Sequence, residues 1–197
     1  YVDSSAEVNA TSHVYRVKSI DPCDSIFTSV NSAKTILLTG QALGNFTNSM
    51  SWNEYLDWIN GVKEYEVLRN VPANYTVYSS VIAKPTTDRS FVDDVFLLED
   101  NDGNFCYIIM AVENGINKYG LIDTAFSNRL CVTQEPRLFV PNVIAPDGLN
   151  NKFYPKGTYI NKKSNYRMEI FNRWGEKIYE TTNFEDGWDG TFKGKAL

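Results

Sequence analysis

A single histidine, His13, limits the chemistry that this chain can support. One imidazole leaves a Ser-His-Asp or Cys-His arrangement a single possible base and rules out a cluster of histidine metal ligands. No serine sits in a Gly-x-Ser-x-Gly turn, and no glycine-rich loop ends in Lys-Ser or Lys-Thr, so neither an elbow nucleophile nor a phosphate cradle is encoded. Carboxylates do occur in pairs, at Asp93-Asp94 and Glu99-Asp100, in strand or turn contexts where a solvated edge is the expected role. Asp100-Asn101-Asp102-Gly103-Asn104 has the opening of a calcium loop, yet its twelfth position is Ala111 where a bidentate Glu is required. A polar hairpin turn with Gly103 at positive φ is the preferred reading. These residues predict a chain that is not an enzyme and needs no cofactor or metal.

Cysteine chemistry is structural. Cys106 opens one long apolar stretch and Cys131 closes a later one. If the two segments pair antiparallel, the start of one lies beside the end of the other, within the ~4.4 to 6.8 Å Cα separation that a disulfide requires. Such a bridge would stabilise the domain by roughly 3 kcal/mol through loop closure. The alternative is two free buried thiols. Cys23 is the odd one out: its partner lies in sequence before Tyr1, or it is a free thiol.

The elements that must carry these residues are strands. The chain has 197 residues, 43% hydrophobic and 14% aromatic, with twelve Tyr and eleven Phe, a composition that favours a folded sheet core over helix or disorder. A net charge of -5 disfavours nucleic acid, which binds concentrated basic surface. The longest apolar run, Phe105 to Val112, falls well short of the roughly 20 residues of a spanning helix, so no membrane span is expected. Tyr1-Val2-Asp3-Ser4-Ser5 has neither the basic nor the apolar region of an export leader, which is expected upstream.

Two motifs recur at nearly constant offset. Tyr1-Val2-Asp3-Ser4 returns as Phe91-Val92-Asp93-Asp94, and Tyr15-Arg16-Val17 as Tyr107-Ile108-Ile109, at offsets of 90 and 92 residues. That period matches an immunoglobulin-like sandwich. Residues 1–33 are therefore expected to end one sandwich and residues 34–136 to form a complete one. Its strands are placed at Thr35-Ile36-Leu37-Leu38, Thr47 to Tyr55, Val62 to Arg69 and Tyr75 to Val81. Tyr107, and Tyr15 one repeat earlier, are expected to bury their rings and send their hydroxyls to backbone at the domain corner. At Trp52, Tyr65-x-Val67 and Tyr107-x-Ile109-x-Ala111 the segment resembles the fibronectin type III family.

Residues 137–197 read as a small antiparallel unit. Tyr166, Met168 and Ile170 alternate with Arg167, Glu169 and Phe171, Gly175 suits a tight reversal, and Ile178-Tyr179 starts the return strand. Gly187 and Gly190 then bracket Trp188-Asp189 in a second reversal. Four ordered motifs follow one another: Phe139-Val140-Pro141-Asn142, Pro146 to Phe153, Asn172-Arg173-Trp174-Gly175 and Gly187-Trp188-Asp189-Gly190-Thr191. On these the segment resembles the type B C-terminal sorting domain of type IX secretion, also called the gliding-motility-associated C-terminal domain. The family's metal-like turn is shortened here and has Asn151 where Asp is common, and the family pattern implies further strands after Leu197.

The expected fold is thus all-β: tandem immunoglobulin or fibronectin-like sandwiches followed by a small antiparallel sorting domain. The resemblance implies a secreted or cell-surface protein, exported across the outer membrane, whose tail is recognised by the type IX translocon and a PorP/SprF-like outer-membrane protein. Asn172, Arg173, Trp174, Gly175, Gly187, Trp188, Asp189 and Gly190 would form the recognition surface. The competing role for the same residues is internal, with the tryptophans closing the tail's core and Arg173 pairing with Asp189. Asp24-Ser25-Ile26 and Asp123-Thr124-Ala125 resemble the O-glycan acceptor of proteins on this route, making Ser25 and Thr124 candidate acceptors against a plainer reading as exposed turns. The repeats are expected to act as a spacer or stalk. The alternatives are an adhesin or carbohydrate-binding module, using aromatics such as Trp58, Tyr75 and Tyr78, and the non-catalytic end of a secreted enzyme.

Overall fold

The computed structural model describes residues 3–30, 32–70, 80–98, 102–145, 148, 151–160 and 166–196. The chain is all-β, and its described residues add to the strands one 3-10 turn, Phe96–Leu98. No described helix is long and apolar enough to cross a membrane. Two compact units emerge: Tyr1–Leu97 with Asn104–Gln134, and Leu98–Gly103 with Glu135–Leu197.

The first unit holds β1 (Val14–Tyr15), β2 (Lys18–Ile20), β3 (Ile26–Thr28), β4 (Ala33–Lys34), β5 (Leu38–Leu43), β6 (Thr47–Trp52), β7 (Val62–Asn70), β8 (Ser80–Ala83), β9 (Ser90–Asp94), β10 (Asn104–Glu113), β11 (Thr124–Phe126) and β12 (Leu130–Thr133). One sheet runs β5-β6-β9; the other runs β11-β10-β7-β8, with β12 also on β10. Period-two burial explains the arrangement. Asn48, Met50 and Trp52 of β6, and Phe105, Tyr107, Ile109 and Ala111 of β10, all point inward while their neighbours are less buried. Trp52 meets Tyr65 edge to face, with ring centroids 5.7 Å apart.

Cys106 and Cys131 stand opposite each other in the β10–β12 register and are joined by a disulfide. Cys23 is an exposed free thiol.

Several expectations are corrected. The strand placed at 35–38 starts later, at Leu38, because Thr35 donates its N–H to the His13 carbonyl and Ile36 bridges Ser127 alone. Tyr15 does not repeat Tyr107: it is 37% exposed and donates its hydroxyl to Asp3, whereas Tyr107 is fully buried. Nor does the Tyr107 hydroxyl reach for backbone. It donates to Asp93 Oδ2 at 2.7 Å and accepts from Asn48 Nδ2 at 2.7 Å. Asp93, expected on a solvated edge, is buried, and both its oxygens accept from Arg69 Nη1 at 2.7 Å. Gln134 closes the network by donating to Asn48 Oδ1 and to the Thr47 carbonyl, each at 2.8 Å. A buried polar cluster is tolerated because its donors and acceptors find one another, with Arg69 Nε the exception. Burial, then the negative charge of Asp93, pushes the Tyr107 hydroxyl far above the ordinary tyrosine range.

β2 pairs with β3, and β1 with β4, where Val14 stands opposite Lys34, so one ladder crosses the boundary expected after residue 33. Residues 100 and 101 of the calcium-loop reading, Glu99 of the paired carboxylates, and Tyr75 and Tyr78 lie outside the described residues. Gly103 does take positive φ, at 78°.

Candidate functional site

The second unit is built from three two-stranded ribbons. β13 (Arg137–Phe139) pairs β14 (Lys156–Thr158), β15 (Met168–Phe171) pairs β16 (Lys177–Thr181), and β17 (Thr191–Phe192) pairs β18 (Lys195–Ala196). Its interior is small: Tyr159 and Phe184 are buried, and Tyr166 meets Phe184 edge to face at 5.0 Å.

The turn joining β15 to β16 is organised by one side chain. Asn172 Oδ1 accepts from the N–H groups of Trp174 and Glu176, each at 3.0 Å, and Asn172 Nδ2 donates to Glu176 Oε2 at 3.2 Å. The Asn172 N–H donates to the Glu176 carbonyl, and Gly175 crosses to φ 81° where only glycine is unstrained. This local network holds Trp174 at 75% exposure, with the Arg173 guanidinium 4.2 Å above its ring.

Below the turn, the ribbon sets Glu169 opposite Glu180, a like-charge pairing that would be unfavourable alone. Arg167 bridges both, 2.7 Å from Glu169 and 2.9 Å from Glu180, and Lys177 contacts both as well. The hydrogen bond from Lys177 is the first cause holding each of the two carboxyls below the ordinary glutamate range. Lys177 is pushed up in return, first by Glu180 and then by Glu169.

The second tryptophan behaves differently. Trp188 is half-buried and exchanges two backbone hydrogen bonds with Phe153, at 2.7 and 2.9 Å. Its indole Nε1 donates to the Thr191 carbonyl at 2.7 Å. Asp189 Oδ1 accepts from the Thr191 N–H and hydroxyl, at 2.9 and 2.8 Å, and these bonds lower its pKa. Thus Arg173 stacks on Trp174, and Asp189 serves its own turn.

The two glycines of this motif are required for different reasons. Gly190 adopts φ 85°, whereas a side chain at Gly187 would come within 2.8 Å of both Lys152 and Tyr154. Close approach, not positive φ, selects glycine at 187.

Sequence reading missed Phe192 and Lys193. Lys193 and Gly194 both take positive φ, at 51° and 77°, as a two-residue type I′ hairpin demands. Lys193 Nζ sits 4.6 Å over the Phe192 ring and 3.4 Å from Glu176 Oε1. The Lys-Gly pair between two short strands was the available signal.

An open apolar groove of about 580 Å³, lined by Leu138, Val140, Phe153, Met168 and Ile170, flanks the ribbons. Segment 138–197 holds nine Lys and Arg against seven Asp and Glu, in contrast to the acidic chain as a whole. The residues of the shortened turn at 146, 147, 149 and 150 lie outside the described residues. Among the described residues no group of three His, Cys, Asp or Glu is placed to hold a metal ion.

Of the two candidate glycan acceptors, Ser25 is exposed in the β2–β3 turn and donates its N–H to Asp21 Oδ1 at 2.8 Å. Thr124 is also exposed, but it opens β11 rather than sitting in a turn, because it pairs with Val112 of β10.

No curated protein and no solved structure matches the chain. Residues 138–197 match the family model described as the CHU_C Type IX secretion signal domain, and with the motif geometry above this segment is a type IX secretion sorting signal, carried by a protein exported to the cell surface or beyond.

Proposed function

We propose that the turn at Asn172–Glu176 is the part of the sorting signal read by the export machinery, through an outer-membrane protein of the PorP/SprF kind. The single supporting observation is Trp174: a large aromatic side chain held far out of its own core, on a turn made rigid by Asn172. Rigid exposed aromatics beside an arginine are the usual energetic anchors of protein interfaces, since they lose little entropy on docking. Gly187, Trp188 and Gly190 shape the unit's other motif turn, where Trp188 is tied to Phe153 and Thr191. In this reading the first unit is a spacer, built on fibronectin-like lines, and the chain is non-catalytic, in keeping with a sequence that encodes neither an elbow nucleophile nor a phosphate cradle.

The test is secretion from cells that carry the type IX machinery. Removing residues 138–197 from the full-length protein is expected to leave it in the periplasm; normal surface levels without them would refute a sorting role. Trp174→Ala in the intact protein is expected to reproduce the loss while the purified variant keeps the wild-type melting temperature. Export at the wild-type level by that variant would move recognition away from this turn.

A further inference from the structure

The first unit carries a cleft that the sorting role does not use. It lies between the loop leaving β6, residues 57–60, and the loop from β10 to β11, and it encloses about 230 Å³. That is room for one pyranose ring and below the usual volume of a pocket for a drug-sized molecule.

Its wall is aromatic. Trp58 is half-buried and packed against Tyr55, ring centroids 4.6 Å apart, which fixes the indole in place. Tyr119 stands on the facing rim at 74% exposure. The floor is a set of positioned acceptors. Asn117 Nδ2 donates to Glu113 Oε2 at 3.1 Å and to Asp123 Oδ2 at 3.0 Å, the Asp123 N–H reaches Glu113 at 3.2 Å, and Asp57 Oδ2 accepts from the Lys34 N–H at 2.9 Å. Glu113 is nearly fully buried, and among the described residues no Lys, Arg or His pairs with any of the three carboxylates. Their combined field reaches Tyr55, whose hydroxyl is pushed up first by burial and then by Asp57, Asp123 and Glu113.

We propose that this cleft binds one unit of a neutral glycan, its C–H face stacked on Trp58 and its hydroxyls donating to Glu113, Asp123 and Asp57. Each feature favours a sugar over other ligands. Carboxylates locked by N–H donors keep free lone pairs at fixed positions, as vicinal hydroxyls require. Lys118 also lines the cleft, its ammonium 4.9 Å over the Tyr119 ring, but against the carboxylates of Glu113, Asp123 and Asp57 the balance stays negative and disfavours phosphate and uronic acids. A flexible basic side chain would be drawn by the charge but gains nothing from a fixed flat ring and a fixed acceptor spacing.

The experiment is calorimetric titration of the whole chain with cellohexaose, xylohexaose, mannohexaose, maltohexaose and chitohexaose, and separately with a hexalysine peptide. At least one oligosaccharide is expected to bind. Tyr119→Ala, an exposed change that leaves folding intact, and Trp58→Ala are each expected to weaken it roughly tenfold, with Trp58→Phe recovering part of the loss. If Trp58→Ala fails to fold, Asn60→Ala on the same rim takes its place. The proposal is overturned if none of the five sugars binds, if binding survives these substitutions, or if hexalysine alone binds. Because no export is read, its failure leaves the sorting role untouched.

Discussion

Glu176 Oε1 lies 3.4 Å from Lys193 Nζ, so the turn of β15–β16 and the turn of β17–β18 stand side by side. Arg173 over Trp174 and Lys193 over Phe192 therefore share one edge of the unit, each a cation on an aromatic ring. An exposed ion pair of this kind contributes under about 1 kcal/mol, so its consequence is orientation rather than stability.

The two tryptophans should separate cleanly. Trp174→Ala is expected to change unfolding free energy by less than about 0.5 kcal/mol, as for an exposed site. Trp188→Ala removes a half-buried ring and its bond to Thr191 and should cost about 2 kcal/mol. Urea denaturation followed by circular dichroism gives both values, and equal costs would show that the exposure assigned to Trp174 is wrong.

The glycines offer a second contrast. Gly175→Ala meets no neighbour within 4 Å and carries only the positive-φ penalty, about 1 kcal/mol. Gly187→Ala must displace Lys152 and Tyr154 and approach the Phe153 carbonyl at 3.3 Å, so it should break the Phe153–Trp188 bridge. Proton NMR of the Trp188 indole N–H is the readout. That resonance should shift in Gly187→Ala and stay put in Gly175→Ala.

Reduction of the Cys106–Cys131 bridge should lower the stability of the first unit by about 3 kcal/mol, since its partners are 25 residues apart. Denaturation with and without reductant measures this. Mass analysis after alkylation should find one reactive thiol, Cys23, before reduction and three after.

The β15–β16 ribbon should respond to acid. Glu169 and Glu180 have folded-state pKa values below their unfolded ones, so their contribution is present above the ordinary glutamate pKa and lost as pH falls through the folded value. Lys177 has the opposite sign: its contribution is present below the ordinary lysine pKa and lost as pH rises through the raised value. NMR titration of the two carboxyl carbons should show both midpoints below that of an unstructured glutamate, and molar salt should move them back. Midpoints unchanged by Lys177→Ala would contradict the assigned cause.

Local rules carried the reading of the tail. Asn172, Gly175 and Gly190 act through bonds and dihedrals within four residues of themselves, so spacing alone announced their turns. The sheet character of β6, β7 and β10 was equally legible, because burial alternates residue by residue along a strand. The Cys106–Cys131 pairing followed once two strands were taken as antiparallel neighbours.

Sequence by itself thus determined that the chain is all-β and ends in motif-bearing turns, since both follow from short-range periodicity and backbone preference. Tertiary structure alone decided which tryptophan faces solvent, that Tyr107 meets Asp93 and Asn48 rather than backbone, and that Trp58 shares a cleft with Glu113 and Asp123. The Tyr107 contacts alone join groups 14 and 59 residues apart. Only the packing of whole sheets and loops brings such groups together, and no local pattern records it.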